Sequence, residues 1–208
     1  MKVACYLAEG KTDQMKDRGV AVIFPGIGYH RDKPLLYYSA KLAASKGYEV
    51  ISVEYHDMPQ KIRGNAEMME KAAQIAFEQT KEQLKSAELS GHNKLLFIGK
   101  SIGTVAMAHY VSEEKLNLCF PRGTTEIKQV WYTPVEATFL YETGKTVAFI
   151  GDADPWSDVA EVKRLAEQHR IRLYSYSGCN HSLEGDDFDR NMEILRDVMN
   201  KTGEFIDG

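Results

Sequence analysis

Along this chain, short apolar runs alternate with longer stretches in which apolar residues return every three or four positions. Gly19–Phe24 is the first run, and Pro25-Gly26 ends it, so it predicts a buried strand. Asp32 and Pro34 mark a helix start, with Leu35, Tyr38, Leu42 and Ala43 on its apolar face and Gly47 beyond its end. Glu49–Val53 is the next predicted strand. Ile62, Ala66, Met69, Ala73, Ala76, Thr80, Leu84 and Ala87 recur at helical spacing and predict a long amphipathic helix. Lys94–Ile98 is a strand that passes through a turn at Ser101 into a helical stretch, Val105–Ala108, and 112–126 reads as polar and irregular. Strands follow at Ile127–Tyr132, Thr146–Ile150 and Ile171–Tyr176. A helix with Val159, Val162, Leu165 and Ala166 inward, capped by Ser157 or Asp158, lies between the last two. Phe188, Met192, Leu195 and Val198 mark the final helix, whose start carries Asp186, Asp187 and Asp189.

Strands alternating with helices predict βαβ units. The expected fold class is α/β, a three-layer sandwich with a mainly parallel central sheet and helices on both faces. Such sheets bind ligands at the carboxyl ends of their strands, so the loops after each strand are where chemistry is expected.

Composition changes this picture little. Apolar residues are 43% and charged residues 27% of the 208, which suits one domain over 1–208 with a sizeable core. A net charge of −4 and the lack of a basic, aromatic-interleaved stretch argue against a nucleic-acid partner. No apolar run approaches the roughly 20 residues that span a bilayer. The apolar part of Met1–Gly10 is too short for a signal peptide. Cys5, Cys119 and Cys179 fit neither a disulfide framework nor zinc spacing, so no metal and a reducing, cytoplasmic setting are expected.

Three strand-end loops carry the residues that acyl transfer needs. Gly99-Lys-Ser101-Ile-Gly103 sits between a strand and a helix, the layout of a nucleophile elbow. Asp152 and Asp154 follow the next-to-last strand in Gly151-Asp-Ala-Asp-Pro155, and His181 follows the last in Gly178-Cys-Asn-His-Ser-Leu183. A serine hydroxyl needs a base to become a nucleophile, histidine serves near neutral pH, and a carboxylate holds the imidazole tautomer. Of the other histidines, His30 and His56 lie in strand-end loops but do not follow the last strand. His109 and His169 sit in helical patterns, and His92 in a polar turn.

With these motifs in this order, the chain resembles the α/β-hydrolase superfamily, specifically its small cap-free members of the dienelactone-hydrolase-like and carboxylesterase-like group. The resemblance runs from about Gly19 to Met199. It implies a serine hydrolase without a cofactor, acting on a small ester or thioester as a small-molecule acyl substrate, with Ser101 as nucleophile, His181 as base and Asp154, three after the glycine, as acid. It also implies an oxyanion hole from the N–H groups of Ile102 and Ile27, with Gly28 as an alternative to Ile27; the usual His-Gly of that loop is Pro25-Gly26 here. The connection between the strands ending at Tyr132 and starting at Thr146 is short, which leaves little room for a cap. Tyr29, His30, Tyr132 and Trp156 stand in or beside strand-end loops and are candidate pocket residues. Cys179 reads as a packing residue, and Lys100 has no assigned role.

Rival motifs fail on spacing. A phosphate loop needs a glycine at position 94, which is lysine, and the third glycine of a dinucleotide fingerprint falls on Arg31. A hydrolase fold used only for binding, or a small acyl-peptide or amide hydrolase, are the alternative functions.

Overall fold

The computed structural model of the protein describes residues 19–119, 125–142 and 144–208, with the side chains of Leu116 and Cys119 excepted. The N-terminal reading, Cys5 and part of 112–126 lie outside these residues. Six strands form one parallel sheet: β1 (Val20–Phe24), β2 (Glu49–Ser52), β3 (Lys94–Lys100), β4 (Glu126–Tyr132), β5 (Lys145–Gly151) and β6 (Arg172–Tyr176), in the order β2-β1-β3-β4-β5-β6. The helices are α1 (Pro34–Ser45), α2 (Ala66–Leu84), α3 (Ile102–Cys119), α4 (Val159–Gln168) and α5 (Phe188–Asp207).

Alternate residues of each strand point to opposite faces, and here both faces are apolar. Val20, Val22, Phe24, Leu95, Phe97 and Trp131 pack with α2, α3 and α4. Ala21, Ile23, Leu96, Ile98, Val130 and Phe149 pack with α1 and α5. Burial on both sides is why β1, β3 and β5 read as continuous apolar runs. The fold class expected from the sequence is therefore observed. Between β4 and β5 the chain makes a 3₁₀ turn at Glu136–Leu140, a feature the apolar pattern did not show. Among the described residues, no helix is long and apolar enough to cross a membrane.

Several boundaries and faces differ from the sequence reading. α3 runs on through 112–119, where its polar residues face water and Lys81 on α2 pairs with Glu113. Ile62 precedes α2, which Asn65 caps by accepting from the Met68 N–H. α1 buries Leu35, Leu36, Ser39 and Ala43, not Tyr38, which is 47% exposed. α5 extends to Asp207 and buries Ile194, Val198, Thr202 and Ile206, while Phe188 and Met192 face outward.

Close approach explains two glycines. A Cβ on Gly103 would lie 2.3 Å from the Pro25 carbonyl oxygen, and one on Gly151 would lie 2.1 Å from that of Cys179. Each holds a strand-end loop against a neighbouring one. Gly103→Ala is expected to lower stability by about 3 kcal/mol, because the obstacle is backbone and cannot rotate away. Urea unfolding of the variant measures this, and a loss below about 1 kcal/mol would show that the Pro25 loop yields freely.

Candidate active site

Ser101 stands between the end of β3 and the start of α3. Its N–H donates to the Tyr132 carbonyl at 3.0 Å, which anchors the turn to β4. Its φ is +55°, a left-handed conformation that is costly for a residue with a Cβ and here aims the hydroxyl off the sheet edge. The loop after β6 brings His181 to it, with Nε2 2.7 Å from Ser101 Oγ. The loop after β5 brings Asp154, whose Oδ2 is 2.7 Å from His181 Nδ1. These partners define the tautomer: Nδ1–H donates to the carboxylate, and Nε2 accepts from the serine hydroxyl.

The acid loop sorts its aspartates. Asp154 is buried, and its second oxygen accepts from the Trp156 N–H at 2.9 Å, so both oxygens are held. Asp152 accepts from the Gly178 N–H at 2.6 Å and ties the acid loop to the base loop. Asp158 caps α4 through the N–H groups of Ala160 and Glu161, so the cap is Asp158, while Ser157 donates to the Pro134 carbonyl. In the base loop Asn180 Oδ1 accepts from the Ser182 N–H at 2.7 Å, which bends the chain around His181.

The loop after β1 faces Ser101. Gly26 and Tyr29 exchange backbone hydrogen bonds of 3.0 and 3.2 Å around the two-residue turn Ile27-Gly28, with Gly28 at φ +74°. No described residue accepts a hydrogen bond from the N–H of Ile27 or Gly28. Ile102 opens α3, where the first N–H groups have no intrahelical acceptor. Ile27, Gly28, Ser101, Ile102 and His181 border one hollow of about 180 Å³.

The four candidate pocket residues divide. Trp156 stacks on the His181 ring with centroids 5.6 Å apart and borders the hollow. Tyr29 also borders it; its hydroxyl accepts from the Leu35 N–H at 3.1 Å, and burial pushes its pKa up to about 12. His30 is exposed and lines an adjoining cleft instead. Tyr132 is a correction. It is fully buried, and its hydroxyl hydrogen-bonds Ser39 and Thr202 inside the sheet–helix layer. The register explains this: Tyr132 pairs with Lys100, one residue short of the turn, so it still belongs to the strand.

Lys100 is the residue whose environment the sequence did not reveal. It is 0% exposed, its Nζ has no hydrogen-bond partner among the described residues, and it lies 4.9 Å from the centre of the Tyr29 ring. Burial pulls its pKa down to about 7, against the opposing charge of Asp154. The available signal was its place in β3, where strand alternation continues the Leu96–Ile98 face inward. Cys179 is buried and forms no disulfide among the described residues, and burial raises its thiol pKa, which fits packing.

The pKa of His181 is held below the ordinary histidine value, chiefly by burial and further by the Lys100 charge, with Asp154 opposing both. A base must be neutral to accept a proton. Activity that depends on His181 is therefore expected to rise with pH through a midpoint below 6.5, measured as kcat/KM for an acetyl ester. A midpoint above 7 would contradict this environment.

No protein-family model matches the chain, and no curated protein does. Solved structures do match. A structure described as an α/β serine hydrolase homologue from Coxiella burnetii shares 15% identity over 89% of this chain and 85% of its own, with a TM-score of 0.61. An esterase from Pyrococcus furiosus shares 13% over 92% of this chain and 82% of its own, TM-score 0.60. A serine hydrolase without a lid from Xanthomonas campestris shares 14% over 90% of this chain and 80% of its own, TM-score 0.58. At these identities the likeness is one of fold, and the fold is that of the α/β hydrolases.

Proposed function

We propose that the protein is a serine hydrolase that cleaves a small ester or thioester through an acyl-enzyme on Ser101, as one cap-free domain. The observation that carries this reading is the unbroken hydrogen-bond chain from Ser101 through His181 to Asp154, with its serine on a left-handed turn. In the proposed cycle, His181 Nε2 takes the hydroxyl proton as Oγ attacks the acyl carbon. Asp154, with its other oxygen held by Trp156, keeps the imidazole oriented and offsets the positive charge that forms. Ile102 and Ile27 border the same hollow as Ser101, and their N–H groups are assigned to the oxyanion. His181 then returns the proton to the departing alcohol or thiol. Water, activated by the same imidazole, cleaves the acyl-enzyme and frees Ser101. All the groups in this cycle are protein groups, so it requires no cofactor.

A fluorophosphonate probe tests the reading. The expected result is stoichiometric labelling on Ser101, located by peptide mass, with none in Ser101→Ala. Absence of labelling in the wild type, or labelling that survives the substitution, would overturn it. A panel of p-nitrophenyl esters and acyl thioesters then separates esterase from thioesterase action.

A further inference from the structure

Three hollows adjoin one another at the carboxyl end of the sheet. The smallest holds Ser101 and His181. It shares Ile27 and Gly28 with a cleft of about 610 Å³, and Met69, Ile102 and Trp156 with a groove of about 550 Å³. The two neighbours differ in chemistry. The cleft presents His30, Arg31, Asp32, Glu54, His56 and Asp57. The groove runs between α2, α3 and the 3₁₀ turn over Ala73, Val105, Val135 and Ala137.

The groove has a direction and an end. Ile102, Val105 and His109 lie on one face of α3, and His109 is held between the rings of Phe77 and Tyr141, at centroid separations of 3.6 and 4.4 Å. From Ile102 to His109 the helix advances about 10 Å, the reach of a linear chain of about eight carbons. Leu140 stands on the rim, 78% exposed, an apolar side chain that such an occupant covers. Among the described residues no lysine or arginine lines the groove, whereas Glu70 and Glu136 do, so an anionic tail is disfavoured.

We propose that this groove binds the acyl half of the substrate, an uncharged linear chain of about eight carbons by the helix rise, and that the polar cleft receives the departing alcohol. The inference rests on the serine-hydrolase reading. The two halves of an ester leave its carbonyl carbon in opposite directions, and here one direction is apolar and the other polar. The acyl half stays attached to Ser101 while water enters, so it suits the groove that ends against the His109–Tyr141 stack. The alcohol must leave, so it suits the cleft with charged walls.

The test is kcat/KM for p-nitrophenyl esters from acetyl to dodecanoyl, in the wild type and in Ala73→Phe and Ala137→Phe, two independent ways of filling the groove. In the wild type, kcat/KM is expected to rise about fourfold per methylene, the worth of burying one CH₂, and to stop rising near octanoyl. In either filled variant the octanoyl-to-acetyl ratio is expected to fall by about sixtyfold, the worth of roughly three methylenes at that increment. A wild-type profile flat with chain length, or a steep profile that persists in both filled variants, overturns the groove assignment and leaves the hydrolase reading intact. No turnover of any ester, together with no Ser101-dependent fluorophosphonate labelling, overturns the hydrolase reading and this inference with it.

Discussion

Ser101→Ala is expected to lower kcat for a p-nitrophenyl ester by on the order of 10⁴- to 10⁶-fold, with KM changed far less. Oγ is the atom that His181 Nε2 approaches at 2.7 Å, and no other hydroxyl hydrogen-bonds that nitrogen among the described residues. The substitution keeps the Cβ, the turn and the N–H groups assigned to the oxyanion. What activity remains would come from those N–H groups and from binding, which by themselves give a residual acceleration. A companion variant separates chemistry from folding. Ser101→Gly also removes the nucleophile, but it relieves the φ of +55°, so it is expected to be as inactive and about 1 kcal/mol more stable than Ser101→Ala. Steady-state kinetics and urea unfolding of the pair measure both effects. Retention of more than a tenth of wild-type kcat in either variant would remove Ser101 as nucleophile.

The second large effect concerns stability. Lys100→Met is expected to stabilise the protein by about 3–5 kcal/mol at pH 7 or below. The Lys100 amine is fully buried without a hydrogen bond to any described residue, and burial holds its pKa near 7, well below the ordinary 10.5. The unfolded chain therefore binds a proton that the folded chain holds weakly. The penalty is complete below pH 7 and fades as pH rises toward 10.5, so wild-type stability rises with pH across that window relative to the variant. Methionine fills similar volume without the charge. Lys100 also lowers the His181 pKa, so the same substitution should move the acidic limb of the pH–rate profile upward. Urea unfolding at pH 7 and pH 10 measures the first effect and kcat/KM against pH the second. A destabilised variant at pH 7 would mean that the amine is solvated or paired.

Much of this was legible in the chain because parallel strands buried on both faces carry unbroken apolar runs. Val20–Phe24, Leu95–Ile98 and Thr146–Ile150 could be read directly, and with Ile171–Tyr176 they placed Ser101, Asp154 and His181 at strand ends. The helix faces were less legible. Tyr38, Phe188 and Met192 are apolar enough to count in a periodic pattern, yet they face outward while Ser39 and Thr202 go in. Those two polar residues are buried because Tyr132 supplies them a hydrogen-bond partner from the opposite layer, and no local pattern announces a partner so distant along the chain.

The order of elements, the parallel sheet and the three residue types of the site belong to the sequence alone, since they follow from periodicity and from turn chemistry confined to a few neighbouring positions. The tertiary structure decided which aspartate faces His181, that Lys100 is enclosed without a hydrogen-bond partner among the described residues, and that the hollow holding Ser101 adjoins a polar cleft and a mainly apolar groove. Each of these depends on which loops lie side by side across the sheet edge. Strand order, not strand identity, settles that: β3 lies between β1 and β4, and β5 and β6 follow, so residues 80 positions apart in the chain meet within a hydrogen bond.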